Sequence, residues 1–172
     1  DKRKFEPVEV LPSCAQAAMI GNPVSMPRVI RLVDEYEEVA GGENFHVVNV
    51  KEQEIMDFML RANRNGNVVC TQGGESLAGF KRAVDLGLVK RDQIGILDST
   101  AHMLKFISFQ EMYFEDRFDP AYEVVPKEEL KNSPVELTTP TFKWAPKQEE
   151  LERFTREMGE RVAEILGLNP RE

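Results

Sequence analysis

Apolar and polar positions change period several times along the chain, and each change marks a predicted element. Ile20-Gly21-Asn22-Pro23-Val24-Ser25 reads as a turn. Ser25 suits a helix N-cap, and Pro27 suits the first turn of a helix predicted over about residues 26–39. Val29, Ile30, Val33, Tyr36 and Val39 fall on one face of that helix, and Gly41-Gly42 stop it. Phe45 to Val50 is rich in β-branched residues and predicts a strand. Lys51 to Asn65 then predicts a helix burying Ile55, Phe58, Met59 and Ala62. Asn67-Val68-Val69-Cys70 is a short apolar run of the kind buried in parallel sheets.

Thr71-Gln72-Gly73-Gly74-Glu75-Ser76 reads as the loop after that strand, with a helix from Leu77 to Leu86 ended by Gly87. Ile94 to Leu97 predicts a third strand, which runs into Asp98-Ser99-Thr100-Ala101-His102. From Met103 to Phe118 a helix is predicted with Phe106, Phe109, Tyr113, Phe114 and Phe118 spread around it, the pattern of a buried or interfacial helix. Residues 119–146 are punctuated by proline and predict an extended connection. A last helix over about 147–166 carries the stripe Leu151, Phe154, Met158, Val162 and Ile165, ended by Gly167 and Pro170.

Helices alternating with short apolar strands predict an α/β class: a mostly parallel three-layer (αβα) sheet with a carboxy-terminal helical extension. The expected organisation is an α/β domain over 1–118, a connection over 119–146, and a terminal helix over 147–172 packed on the domain. In such a sheet the loops 71–76 and 98–102 emerge together at the carboxyl ends of the strands. Hydroxyls there meet a helix amino end, whose free N–H groups and dipole favour an anionic or polar ligand.

A net charge of −8, without a Lys/Arg cluster, argues against a nucleic-acid partner. The basic start Asp1-Lys2-Arg3-Lys4 reads as a solvated terminus. No apolar run is long enough to span a bilayer, and no export signal is read at the start. Cys14 and Cys70 are widely separated; with two lone histidines they make no standard zinc site, so no metal is expected. Buried free thiols in a reducing cytoplasm are the expectation. A chain that opens at Asp1 rather than Met reads as a piece of something longer.

Three segments resemble threonine synthases, pyridoxal-phosphate (PLP) enzymes of the tryptophan-synthase-β fold type. The turn Ile20 to Ser25 resembles the family's Ile-Gly-Asn/Asp-Pro-Val turn. Cys70-Thr71-Gln72-Gly73-Gly74-Glu75-Ser76-Leu77-Ala78-Gly79 resembles its small-residue loop followed by Ser-Leu-Ala-Gly. Thr100-Ala101-His102-Met103-Leu104-Lys105-Phe106 resembles its Thr-Ala-His-x-x-Lys-Phe signature. The resemblance covers roughly 90 residues, in the family's order.

It implies a carboxy-terminal part of an enzyme that converts O-phospho-L-homoserine and water to threonine and phosphate. By position Thr100, with Ser99 beside it, would hydrogen-bond the pyridine nitrogen of PLP, and Asp98 is a rival partner. Gly74 and Glu75 would flank the cofactor; Asn22, Ser25 and His102 would form a substrate wall. Each has a plainer reading: Glu75 favours a helix amino end, Asp98 braces a turn, and His102 is structural.

The family's Schiff-base lysine segment and Gly-rich phosphate loop are absent from this sequence, so no catalytic residue is assigned here. Lys51, Lys81 and Lys90 read as solvated. The implied partners are therefore the substrate and the remainder of the same enzyme, with a homodimer compatible. Two alternatives stay open. One is a related PLP enzyme of this fold type, a cysteate synthase or a hydroxy-amino-acid dehydratase. The other is a binding or assembly module without catalysis.

Overall fold

The core is built around an amphipathic helix whose apolar residues recur at the 3.6-residue period. The computed structural model describes residues 4–42, 44–132, 134, 137 and 145–168. The α-helices are α1 (Met26–Ala40), α2 (Glu52–Arg64), α3 (Thr71–Asp85), α4 (Ile107–Phe114) and α5 (Gln148–Ile165). Short 3-10 turns lie at Gln16–Ala18, Met103–Phe106, Pro120–Tyr122 and Glu128–Leu130. The chain divides into two compact units, Asp1–Asn132 and Ser133–Glu172.

In the first unit α2 is the centre of the core. The Lys51 N–H donates to Glu54 Oε2 at 2.7 Å, which satisfies an orphan amide at the start of α2. Ile55, Met56, Met59, Leu60 and Ala62 are buried, so α2 is covered on more than the single face its pattern predicts. Each of the larger side chains contributes about 1.5–3 kcal/mol by leaving water. They pack with Cys14, Ala15, Val69, Phe109, Tyr113, Val124 and Leu130. Phe58, expected inside, is only half-buried.

α3 packs directly on α2, and Gly74 sets how closely. A Cβ at Gly74 would lie 2.4 Å from the Ile55 carbonyl oxygen and 2.8 Å from Met59 Cβ. The fully buried Tyr113 of α4 closes another side, within an aromatic group of Phe109, Phe118 and Tyr122 whose ring centroids are about 6 Å apart. The buried Asp57 carboxylate accepts from Gln53 Nε2 at 2.8 Å and Tyr113 Oη at 3.1 Å, and pairs with Lys127. Tyr113 Oη in turn accepts from the Lys127 N–H at 3.0 Å. Residues 124–130 are thereby tied to α2, so this part of the expected connection supplies core residues.

The expected α/β sheet is not what the chain forms: among the described residues the structure is helical, with no strand. Residues 45–50, 67–70 and 94–97 are irregular rather than paired. A strand exists only where a neighbour takes its N–H and C=O groups, and at Val69 a local side chain takes the N–H instead. The Val69 N–H goes to Asn63 Oδ1 at 2.8 Å, and the Thr100 N–H to Asp98 Oδ1 at 2.8 Å. One bond, from the Cys70 N–H to the Ala101 carbonyl at 3.0 Å, joins the end of 67–70 to the loop that follows 94–97, without a ladder. Ile94 and Ile96 are 93% and 94% exposed, the opposite of a buried parallel strand.

Helix α1 matches its expected span, with Pro27 in the first turn and Gly41 as a left-handed C-cap. Ser25 stands at the N-cap position, yet its side chain makes no capping bond. The aromatic helix is shorter than expected: α4 stops at Phe114, and Met103–Phe106 forms a 3-10 turn before it. In the second unit α5 is amphipathic, and the Lys147 N–H donates to Glu150 Oε2 at 2.9 Å. Residues 133, 135–136 and 138–144 of the connection, Asp1–Arg3 of the basic start, and Pro170 of the helix stop lie outside the described residues. No helix among the described residues is long and apolar enough to cross a membrane.

Candidate functional site

The stretch expected to be a loop, 71–76, is the first turn and a half of α3. Cys70, fully buried, caps it in an extended conformation, and the Gly74 N–H donates to the Cys70 carbonyl at 3.0 Å. The same residue anchors the 98–102 loop: its N–H reaches the Ala101 carbonyl, and its thiol lies 3.7 Å from the Ser99 carbonyl oxygen. Gly73 permits that approach, since a Cβ there would sit 2.7 Å from Val69 Cβ and 3.1 Å from the Ser99 oxygen. The α3 amino end and the hydroxyl-bearing loop are therefore adjacent, as the sequence anticipated, although no sheet brings them together.

At the centre of the loop, Thr100 has φ +51°. A β-branched residue in the left-handed region is rare, and the conformation costs about 1–2 kcal/mol. Two bonds frame it. The Ala101 N–H donates to the Ser99 carbonyl at 2.7 Å, and the Thr100 N–H to Asp98 Oδ1 at 2.8 Å. The Ser99 and Thr100 residues are exposed, so strain is spent where a ligand can reach hydroxyls.

Beside the loop lies an open cavity of about 460 Å³. Its apolar floor is Phe58, Val69, Leu77 and Leu97, and its polar rim includes Arg61, Asp98 and Ser99. The Arg61 guanidinium stands 5.9 Å from the centroid of the Phe58 ring.

The other expected site residues fall in different places. Gly74 faces α2 and sets helix packing, whereas Gly73 is the glycine against the loop. Glu75 is half-buried on α3; burial first, and Glu52 second, raise its carboxyl above the ordinary value. Glu52 is itself committed, because its Oε2 accepts the Cys14 N–H at 2.6 Å. Burial and the Glu52 carboxylate push the Cys14 thiol far up, so it stays protonated and inert. Gln72, with its amide oxygen turned to the donors, accepts from Ala17 and Gln16 N–H at 2.9 and 3.1 Å.

His102 caps the 3-10 turn, its Nδ1 accepting the Leu104 N–H at 3.2 Å, which is the structural role weighed for it. Lys81 pairs with Asp85 at 2.6 Å on an exposed face, as a solvated lysine should. Asn22 and Ser25 lie in an exposed turn linked to the Val8 segment by the Val8 N–H to Gly21 carbonyl bond at 3.0 Å. No hydrogen bond among the described residues joins that turn to the 98–102 loop. Gly73, Cys70 and the cavity residues Phe58 and Arg61 were not singled out for the site by the sequence. The signal for the first two was present: a small-residue run at a helix start beside a second loop.

Chemically, the loop offers neutral hydroxyl donors and one carboxylate, with no lysine and no phosphate-binding run. It suits the rim of a site completed by other groups. No protein-family model matches the chain. The chain is 29% identical over 105 residues to threonine synthase 2, chloroplastic, of Arabidopsis thaliana. The matched stretch is 61% of this chain and 19% of that protein, so the chain spans only a small part of the curated relative it matches. Over that stretch the chain is distantly similar to a threonine synthase.

Proposed function

We propose that this chain is part of a PLP-dependent threonine synthase and contributes the wall that faces the pyridine nitrogen of the cofactor. The observation that carries the reading is Thr100. The run Thr100 to Phe106 resembles the family's signature, and the Thr100 backbone is held in a strained turn that keeps a hydroxyl-bearing loop exposed at the start of α3. The donor chemistry fits one edge of PLP, because a neutral hydroxyl donates to a ring nitrogen without forcing a proton onto it. It does not fit the aldehyde or phosphate edges, which need a lysine and a cradle of N–H groups from elsewhere in the enzyme.

When bound, PLP supplies an electron sink for charge that develops on the substrate. Thr100 orients the ring, and Ser99 offers a second hydroxyl beside it. Glu75, with its raised carboxyl, lies near the start of α3, while Gly74 acts through packing rather than contact. His102, whose Nδ1 is committed, has Nε2 left for the substrate side; Asn22 and Ser25 are assigned to the same wall on the resemblance alone. Two buried free thiols support a reducing compartment such as the cytoplasm.

The test is turnover by the complete protein that carries this chain, supplied with PLP. Threonine and phosphate released in equal amounts from O-phospho-L-homoserine would support the reading. Turnover of O-phosphoserine instead would move the enzyme to a related replacement reaction. An absence of PLP binding would leave a non-catalytic module.

A further inference from the structure

Resting on that reading, we infer that Asp98 is a positioning residue, a hydrogen-bond acceptor that holds Thr100 in its left-handed turn and does not itself contact the cofactor. The two residues flanking Thr100 are each tied to the start of α3: the Ala101 carbonyl accepts the Cys70 N–H, and the Ser99 carbonyl abuts Gly73 and the Cys70 thiol. Thr100 lacks such a tether. The bond that fixes it runs from its own N–H to Asp98 Oδ1, at 2.8 Å.

A threonine left to itself prefers negative φ, because its Cβ crowds the following carbonyl at +51°. The acceptor at Asp98 opposes that preference. Releasing the amide would let Thr100 return to a common conformation and swing its hydroxyl away. The geometry therefore assigns the carboxylate to the loop. Because the role needs an oxygen acceptor and not a charge, asparagine should serve in its place.

The experiment compares Asp98→Asn and Asp98→Ala in the complete protein that carries this chain by amide hydrogen exchange. The Val69 amide, held by Asn63 Oδ1, is the internal control for folding. Exchange at Thr100 is expected to rise about tenfold or more in Asp98→Ala and to stay within about threefold in Asp98→Asn. Equal acceleration in both variants, or in neither, overturns the acceptor role.

The second arm follows PLP absorption and turnover in the complete protein. Both are preserved in Asp98→Asn and diminished in Asp98→Ala if positioning is the role. Loss in Asp98→Asn as complete as in Asp98→Ala, with Thr100 exchange still slow in the asparagine variant, would overturn the proposal by making the carboxylate a cofactor contact. If neither variant alters PLP absorption while the exchange pattern holds, Asp98 positions Thr100 and it is the PLP-wall reading that fails.

Discussion

At Gly74 the backbones of α2 and α3 meet closely enough that a single methyl group decides the packing. A Cβ would lie 2.4 Å from the Ile55 carbonyl oxygen and 3.0 Å from Met59 N, both backbone atoms that cannot turn aside. Gly74→Ala is expected to destabilise the first unit by about 1–3 kcal/mol, measured by urea unfolding. An unchanged midpoint would mean that the helices do not meet there. Glu75, one residue on, gives a pH-dependent prediction. Burial and Glu52 raise its folded-state pKa above the ordinary 4.5, so the folded form holds the proton more tightly than the unfolded chain. Stability therefore falls as pH rises from the ordinary value through the folded one. Glu75→Gln should raise Tm at about pH 7 and leave it unchanged at about pH 3, where both states are protonated. An equal rise at both pH values would assign the effect to something other than ionisation.

The helices were legible because their period is local: α1 and α2 each follow an apolar stripe with stop signals at its ends. Strands are not local. The β-branched run at 45–50 and the apolar run at 94–97 have strand composition, but composition does not supply a pairing partner. The error at 71–76 has a different origin. Gly73-Gly74 reads as a loop because glycine is a poor helix former, yet at these positions the missing side chains are what let α3 approach Ile55, Met59 and Ser99. The adjacency of that helix start to the 98–102 loop was anticipated, while its cause, the Cys70 to Ala101 bond, was not readable from the residues. An element-scale test follows from the exposure of Ile96. Ile96→Ser should change the unfolding free energy of this chain by no more than about 0.5 kcal/mol. A loss of about 2 kcal/mol or more would mean that the segment is buried after all.

On the scale of the whole molecule, the chain has a small helical core and a candidate site with one functional edge. Asp57, Tyr113 and Lys127 tie α2, α4 and residues 124–130 together, and the aromatic group closes over them. The site loop sits on this frame through Cys70 and Gly73, which gives Thr100 a fixed foundation despite its exposure. On the proposed reading the loop orients the cofactor ring, and the groups for its phosphate and aldehyde come from elsewhere in the enzyme.

The most direct measurement is the visible absorption spectrum of PLP bound to the complete protein that carries this chain, compared with its Thr100→Ser and Thr100→Val variants. The predicted result is a near-native spectrum and turnover for Thr100→Ser, which keeps the hydroxyl, and a shifted spectrum with turnover lowered about 10²-fold or more for Thr100→Val. A Thr100→Val protein with native spectrum and native turnover would contradict the placement of this loop against the cofactor ring.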